Sequence, residues 1–219
     1  MIGSRYNGIV DNVHEYSYHI LGCGAIGSSA AIQLCRMGAL EFALYDMDIV
    51  EDVNIGVSEF TNNDINKPKV DALKGHILSI NKEAIVNTFN QRFSEYYPQS
   101  ENEMAILGFD NMGSRLQAVE ALCNGKKKPN YIIDGRMGAE HYMQFVIDKP
   151  TVKKYKKTWY SDEEGSSEPC NSKATSYCSN MSGSFISNAV RKLLTKQPCS
   201  REISFHFPSM GLVNKGIIV

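Results

Sequence analysis

A glycine-rich turn between a predicted strand and a predicted helix constrains the fold of this chain more than any other feature. Residues 20–27 read ILGCGAIG, and Gly22, Gly24 and Gly27 give the spacing G-x-G-x-x-G, with Ile26 inside the motif. Such a turn lets bare backbone and a helix N-terminus face a phosphate group. A tight turn that binds nothing has the same pattern, so the surrounding residues decide its role.

The next predicted strand, EFALYD, ends in Asp46. A carboxylate about 20 residues beyond such a turn can accept hydrogen bonds from both ribose hydroxyls of a nucleotide. The two features together predict a nucleotide site, and they fit NAD, FAD and ATP equally well.

Predicted strands and helices alternate along the rest of the chain. Apolar runs predict strands near residues 16–21, 41–45, 84–90, 103–110 and 130–138, and amphipathic stretches predict helices at 28–38, 67–81 and 114–125. Residues 140–148 predict a strand that can run antiparallel at the sheet edge, residues 174–194 a helix, and residues 202–207 and 216–219 a final strand pair. The alternation predicts an α/β fold with a Rossmann-like, mostly parallel sheet and helices on both faces.

The chain length of 219 residues suits a single domain. We divide it into an N-terminal leader, residues 1–17, and a nucleotide-binding domain, residues 18–219. Within that domain, residues 150–169 are rich in charge, serine, glycine and proline and have no sustained period. They predict a crossover loop or lid.

The composition argues against several kinds of partner. The 23 basic and 24 acidic residues give a net charge of -1, which offers no general attraction for nucleic acid or an anionic membrane. No apolar run approaches the roughly 20 residues that cross a bilayer, and residues 1–20 lack the apolar core of a signal peptide. The six cysteines include no C-x-x-C pair, so no zinc ribbon is indicated. We expect a cytoplasmic protein with reduced thiols that binds neither nucleic acid nor membrane.

Charged and amide side chains near the predicted strand ends separate the candidate nucleotides. They are Asp46, Asp48, Asn54, Lys67, Lys69, Asp110, Asn111 and Arg115. A nicotinamide ring needs an apolar slot, whereas ATP with magnesium needs cations against the triphosphate and a carboxylate oxygen for the metal. The set therefore favours ATP and Mg²⁺ over NAD(P).

With these residues the sequence resembles the ThiF/MoeB family, whose fold is shared by ubiquitin-activating enzymes and by bacterial activators of sulfur-carrier proteins. The family pattern G-x-G-x-x-G, D-x-D-x-V-x-x-x-N, P-K and D-N-x-x-x-R occurs here in order, and the resemblance covers roughly residues 18–195. It implies an adenylyltransferase, in a homodimer, that uses Mg-ATP to adenylate the C-terminal glycine carboxylate of a ubiquitin-like or sulfur-carrier protein.

The resemblance also implies a role for each motif residue. The nucleotide would contact Gly22, Gly24, Ile26, Gly27, Asp46, Asp48, Asn54, Lys69 and Asn111, magnesium would bind Asp110, and Asp110, Lys69, Arg115 and Cys170 would be catalytic. Asp46 would hold the ribose, and Asn54 and Lys69 would contact the phosphates. Lys69 can instead be a solvated lysine at a helix start, Asp110 a helix N-cap, and Arg115 the partner of a carboxylate inside the fold.

Cys170 precedes a predicted helix of small residues. Residues 168–194 resemble the segment of the ubiquitin-fold-modifier activating enzyme that carries its nucleophilic cysteine, and Cys170 matches that position. A helix N-terminus lowers the pKa of a thiol, which favours Cys170 as an acyl acceptor. Cys178 is the alternative, although helical spacing would bury it, and a lone loop cysteine is usually inert.

Two arginines of the family pattern are absent. Val57 and Ser58 stand where the family has Arg and Gln, and Gly8 stands where it has the second arginine of R-Y-x-R. One phosphate contact in a dry site can be worth about 3 kcal/mol, and Arg5 or Arg136 could substitute for the missing ones.

Three alternative functions stay open at this point. The first is a catalytically weakened family member that binds nucleotide or carrier as a partner subunit, with ATP binding but no pyrophosphate exchange. The second is an NAD(P) oxidoreductase, which would leave Lys69 and Asp110 without a role. The third is activation of a small-molecule or tRNA carboxylate.

Overall fold

The computed structural model describes residues 4–165 and 174–218. The strands are β1 Ser17–Leu21, β2 Glu41–Tyr45, β3 Ile85–Phe89, β4 Glu103–Leu107, β5 Tyr131–Gly138, β6 His141–Asp148, β7 Cys199–His206 and β8 Gly211–Ile218. The α-helices are α1 Ala25–Met37, α2 Asp52–Ile55, α3 Lys69–Ile80, α4 Met112–Asn124, α5 Val152–Tyr155, α6 Asp162–Gly165 and α7 Ser176–Leu194. Short 3-10 turns lie at Ser4–Tyr6, Val13–Glu15 and Asn62–Asp64.

The strands form one sheet in the order β3-β2-β1-β4-β5-β6-β7-β8. Strands β1 to β5 pair in parallel. The runs SYHIL and EMAIL are buried at every position, because a parallel sheet is covered on both faces. The predicted α/β fold with a mostly parallel sheet is confirmed.

Helices cover both faces of the sheet, as predicted. Successive residues of β4 contribute to the cores on opposite faces of the sheet. Ile106 packs in the core between the sheet and helices α1, α3 and α7, and Leu107 packs in the core between the sheet and helices α4 and α5. Helices α1 and α7 approach closely because a side chain is missing at Gly183, where a Cβ atom would lie 2.4 Å from the Ser29 hydroxyl.

Strands β6, β7 and β8 extend the sheet in antiparallel pairing. The predicted antiparallel strand at 140–148 is confirmed, but its position at the edge is wrong, because the β7–β8 hairpin continues the sheet beyond it. The predicted crossover segment contains the short helices α5 and α6. The Thr151 hydroxyl caps α5 by accepting a hydrogen bond from the Lys154 amide at 3.1 Å.

The carboxyl ends of β1 to β5 meet at one edge of the sheet. Strand β1 lies between β2 and β4, so the chain leaves β1 and β4 in opposite directions and opens a crevice between them. Ligands of open α/β sheets bind in such a crevice. Among the described residues, no helix has the length and apolar character needed to cross a bilayer.

Candidate functional site

A cleft of about 1410 Å³ lies at this edge. Its lining includes ten of the residues predicted for the site, namely Gly22, Gly24, Ile26, Asp46, Asp48, Asn54, Lys69, Asp110, Asn111 and Arg115. Gly27 is buried behind the turn and does not line the cleft. Cys170 lies outside the described residues. The structure thus brings together residues from four separate segments of the chain.

The three glycines of the turn have different physical roles. Gly22 has φ +89°, and a Cβ atom there would lie 2.9 Å from the Gly108 carbonyl group. A Cβ atom on Gly27 would lie 1.8 Å from the Gly22 carbonyl oxygen. Gly24 has no atom within 4 Å of the corresponding position. Gly22 and Gly27 are therefore required by the turn itself, whereas Gly24 leaves backbone open to the cleft.

This difference predicts effects of very different size for two alanine substitutions on stability. We expect Gly27→Ala to lower the free energy of unfolding by about 3 kcal/mol, because its methyl group meets rigid backbone. Gly24→Ala, the matched control, should lower it by no more than about 1 kcal/mol, the cost of alanine at the N-cap of α1. Urea denaturation of both variants measures this, and equal stability of the two would contradict the geometry of the turn.

Asp46 is held by the glycine turn. Its Oδ2 accepts a hydrogen bond from the Cys23 amide at 2.7 Å, and its Oδ1 accepts one from the Asp48 amide at 2.9 Å. Burial raises the pKa of Asp46, and these two hydrogen bonds and Lys69 oppose that shift only in part. The carboxylate is thereby fixed at the end of β2, where each oxygen retains a lone pair for a further donor.

Lys69 begins α3 and closes the loop that follows β2. Its Nζ lies 2.9 Å from Asp48 Oδ2, and its side chain is only 12% exposed. The alternative of a solvated lysine at a helix start is therefore wrong. Asn54 Oδ1 accepts a hydrogen bond from the Glu51 amide at 3.0 Å, and within the described residues its amide nitrogen makes no hydrogen bond. Both residues place donors at the cleft.

Asp110 and Asn111 lie between β4 and α4. Asn111 is the N-cap of α4, since its Oδ1 accepts a hydrogen bond from the Ser114 amide at 2.7 Å. Its Nδ2 donates to Asp110 Oδ1 at 3.0 Å. The alternative role of Asp110 as the helix cap is thus wrong, and its exposed carboxylate faces the cleft.

The side chains around Asp110 suit a magnesium ion that is held partly by phosphates and water, and they do not suit a metal ion that is held by protein ligands alone. Within residues 4–165 and 174–218, no group of three or more His, Cys, Asp or Glu side chains is placed to hold a metal ion. Magnesium at nucleotide sites is held by one or two carboxylates together with substrate phosphates and water. The exposed Asp110 carboxylate, oriented by Asn111, is a ligand of the kind that such a site needs.

A buried carboxylate that the sequence analysis did not single out lies beneath the cleft. Asp134, on β5, is fully buried and pairs with both Arg115 and Arg136. Arg136 Nε and a terminal nitrogen donate to Asp134 Oδ2 at 2.9 and 2.7 Å, and the Tyr155 hydroxyl donates to it at 3.1 Å. Arg115 also donates to the Gly135 carbonyl at 2.8 Å. The alternative role of Arg115, pairing with a carboxylate inside the fold, is therefore present, and the carboxylate is Asp134.

Among the described residues, the cleft lining carries four cations and five carboxylates. The cations are Lys69, Arg92, Arg115 and Arg136, and the carboxylates are Asp46, Asp48, Asp110, Glu140 and Asp162. Val57 lines the cleft where the family pattern has arginine, whereas Gly8 does not line it. A polyphosphate would therefore meet an acidic lining, and a divalent cation at Asp110 would correct that imbalance.

The crossover segment forms one wall of the cleft. Asp162 Oδ1 accepts a hydrogen bond from the Met112 amide at 2.7 Å, and Trp159 Nε1 donates to the Met112 carbonyl at 2.9 Å. Arg136 donates to the Thr158 carbonyl at 2.7 Å. These bonds hold residues 158–162 against the start of α4 and the end of β5.

Cys178 is unsuited to accept an acyl group. It is fully buried in α7, and burial, with Glu140 nearby, raises the pKa of its thiol to about 11. The thiolate is the nucleophilic form of cysteine, so the alternative of Cys178 as the acceptor loses support.

Several known proteins are similar to this chain in sequence. The sequence profile of the ThiF family matches residues 7–211. Ubiquitin-like modifier-activating enzyme 5 of Arabidopsis thaliana is 32% identical over 112 residues, which cover 50% of this chain and 24% of that enzyme. A probable molybdopterin-synthase adenylyltransferase of Porphyra purpurea is 32% identical over 114 residues, 48% of this chain and 28% of the relative. The chain spans about a quarter of the length of these two relatives.

The fold is also similar to that of a solved structure. The crystal structure of E. coli MccB with ATP matches with a TM-score of 0.71 and 16% identity, over 99% of this chain and 68% of that one. At this identity the match supports the fold alone.

Proposed function

Because this chain belongs to the ThiF family, we propose that it uses ATP and Mg²⁺ to adenylate the C-terminal glycine carboxylate of a ubiquitin-like or sulfur-carrier protein. The observation that carries the proposal is the presence of Gly24, Asp46, Lys69 and Asp110 in one cleft. The names of the two relatives support the reaction and the class of protein substrate. We also propose that the chain acts as a homodimer in the cytoplasm.

The proposed orientation of the nucleotide follows the strand ends. The phosphates lie over the turn after β1, at the N-terminus of α1, where Gly24 leaves backbone open. The ribose lies at Asp46, whose carboxylate is held in place by two backbone amides. Asn54 and Lys69 approach the phosphates, and Asp110, oriented by Asn111, would hold a magnesium ion that would supply positive charge to the phosphates.

The reaction needs positioning and charge neutralisation more than proton transfer. A carboxylate oxygen of the carrier attacks the α-phosphorus of ATP, a new P–O bond forms, and the bond to the oxygen of the β-phosphate breaks to release pyrophosphate. No proton moves in this step, so the site requires no general base. Lys69 and the donors of the turn stabilise negative charge while the wall at residues 158–162 positions the carrier tail.

The test is product analysis with candidate carriers that end in glycine. We expect mass spectrometry to detect a carrier that has gained an adenylyl group at its C-terminus, only with ATP and magnesium present. The alternative of a weakened partner subunit is favoured by one observation, Val57 in place of a phosphate-facing arginine. That alternative predicts ATP binding without any adenylated carrier.

We further propose Cys170 as the acceptor of the acyl group after adenylation. Ala174, four positions later in the sequence, lines the cleft, and four residues span at most about 14 Å. We expect Cys170→Ala to abolish a thiol-sensitive carrier–protein conjugate on a non-reducing gel, while adenylation continues. Cys178→Ala is the matched control and should retain the conjugate. Loss of the conjugate in the Cys178 variant alone would contradict the assignment.

A further inference from the structure

The strand order predicts where the base of the bound nucleotide lies. This inference rests on the proposed function. If the phosphates lie over β1 and the ribose at the end of β2, the nucleotide runs across the sheet away from β4. Strand β3 is the neighbour of β2 on that side. The base therefore lies over the loop that follows β3, where Gln91, Arg92 and Phe93 line the cleft.

The loop after β3 is anchored beside Asp46. The Asp46 amide donates a hydrogen bond to the Phe89 carbonyl at 3.3 Å. The ring of Phe89 stacks on Tyr45 with centroids 4.3 Å apart, and the ring of Phe93 meets Tyr45 edge-on at 4.9 Å. Arg92 lies between these two anchored aromatic residues, so its backbone is held at a fixed distance from the ribose site.

Arg92 also differs from the other cations of the cleft. Lys69 is paired with Asp48, and Arg115 and Arg136 are both paired with Asp134. The Arg92 side chain is exposed and makes no hydrogen bond or ion pair within residues 4–165 and 174–218. Beside Asp46, the cleft also exposes an apolar side chain, Met47, which is 55% exposed. Among the described residues, the cleft thus exposes an unpaired cation, Arg92, on the loop after β3 and a thioether, Met47, on the loop after β2.

We propose that Arg92 stacks its guanidinium plane on the purine base of ATP, with Met47 as an apolar contact for the same base. A guanidinium is planar, stays charged and is weakly hydrated, so it stacks well on aromatic rings and on nucleobases. Arg92 is then a base-binding residue, and it is distinct from the residues that hold the phosphates.

The test is calorimetric binding of ATP and AMP to the full chain and to two variants, Arg92→Ala and Arg36→Ala. Arg36 is exposed on α1 and does not line the cleft, so it is the matched control. We expect Arg92→Ala to weaken the binding of ATP and AMP by the same factor, about tenfold. This factor should be nearly the same at low and high salt, and Arg36→Ala should bind both nucleotides as the unaltered protein does.

Three results would overturn the assignment. Unchanged affinity in Arg92→Ala would show that the side chain does not touch the nucleotide. A loss that is larger for ATP than for AMP and disappears at high salt would assign Arg92 to the phosphates. No binding of ATP to the unaltered protein would overturn the proposed function, and this inference with it.

Discussion

Replacing Asp110 with alanine is expected to lower the rate of carrier-dependent ATP:pyrophosphate exchange by at least about 100-fold. The exposed Asp110 carboxylate is the proposed magnesium ligand at the end of β4, and the cleft lining already has more carboxylates than cations. Without the metal, the attacking carboxylate and the α-phosphate would repel each other with little compensation. We expect Asp110→Ala to slow exchange without unfolding the protein, because Asn111, and not Asp110, caps α4.

The matched control for this prediction is Glu83→Ala. Glu83 is exposed just before β3, at the amino end of the strand and away from the cleft. It should exchange at the rate of the unaltered protein. Exchange in Asp110→Ala within about threefold of that rate would contradict the role of Asp110 as the metal ligand.

Replacing Asp134 with alanine is expected to lower the free energy of unfolding by about 3 to 5 kcal/mol. Arg115 and Arg136, both nearly fully buried, would lose their shared carboxylate. Two buried guanidiniums beside each other would then carry uncompensated positive charge. The Tyr155 hydroxyl would also lose the acceptor that lies 3.1 Å away.

Urea denaturation measures this effect, and Asp148→Ala is its control. Asp148 pairs with Arg201 at 2.7 Å, but both side chains are partly exposed, at 24% and 46%. Solvent screens such a pair, so its loss should cost less than about 1 kcal/mol. A similar small cost for Asp134→Ala would contradict the view that this buried network supports the floor of the cleft.

The fold was predictable because its signals are local. The run YSYHILG, the turn at Gly22 to Gly27 and the small, apolar start of α1 follow one another directly along the chain, and the alternation of strand and helix patterns repeats twice more. Each parallel strand is a short apolar run, so both the strand positions and the burial on two faces can be read from it. The motif residues at the strand ends follow from this topology, which is why ten of them line one cleft.

The network around Asp134 could not be predicted in the same way. The sequence IIDGR shows a polar strand end, but the partner of Arg115 depends on the register in which Leu107 of β4 is opposite Asp134 of β5. The pairing register of two strands that are separated by a whole helix is a long-range property that no local pattern contains.

Two smaller differences have separate causes, one local and one long-range. The cap of α4 is Asn111 and not Asp110. Both residue types cap helices well, and α4 begins at Met112, one position later than a cap at Asp110 would require. The place of β6 inside the sheet depends on the β7–β8 hairpin, which pairs with it from beyond helix α7 in the sequence.

The absence of the two family arginines leaves few protein cations for the proposed adenylation. Val57 supplies no charge to the cleft, and Arg115 and Arg136 are committed to Asp134. Under the proposed function, adenylation would then depend on Lys69, on the turn at Gly24 and on a metal ion at Asp110. A chain with this cleft either adenylates with a reduced set of protein cations or binds the nucleotide without reaction.

The most direct measurement is exchange of labelled pyrophosphate into ATP with two versions of one carrier, the first with a free C-terminal glycine carboxylate and the second with that carboxylate amidated. We expect magnesium-dependent exchange with the free carboxylate and none with the amide, because only the free carboxylate can attack the α-phosphorus. Measurable ATP binding without exchange for any glycine-ended carrier would contradict the account and assign the chain to a nucleotide-binding partner subunit.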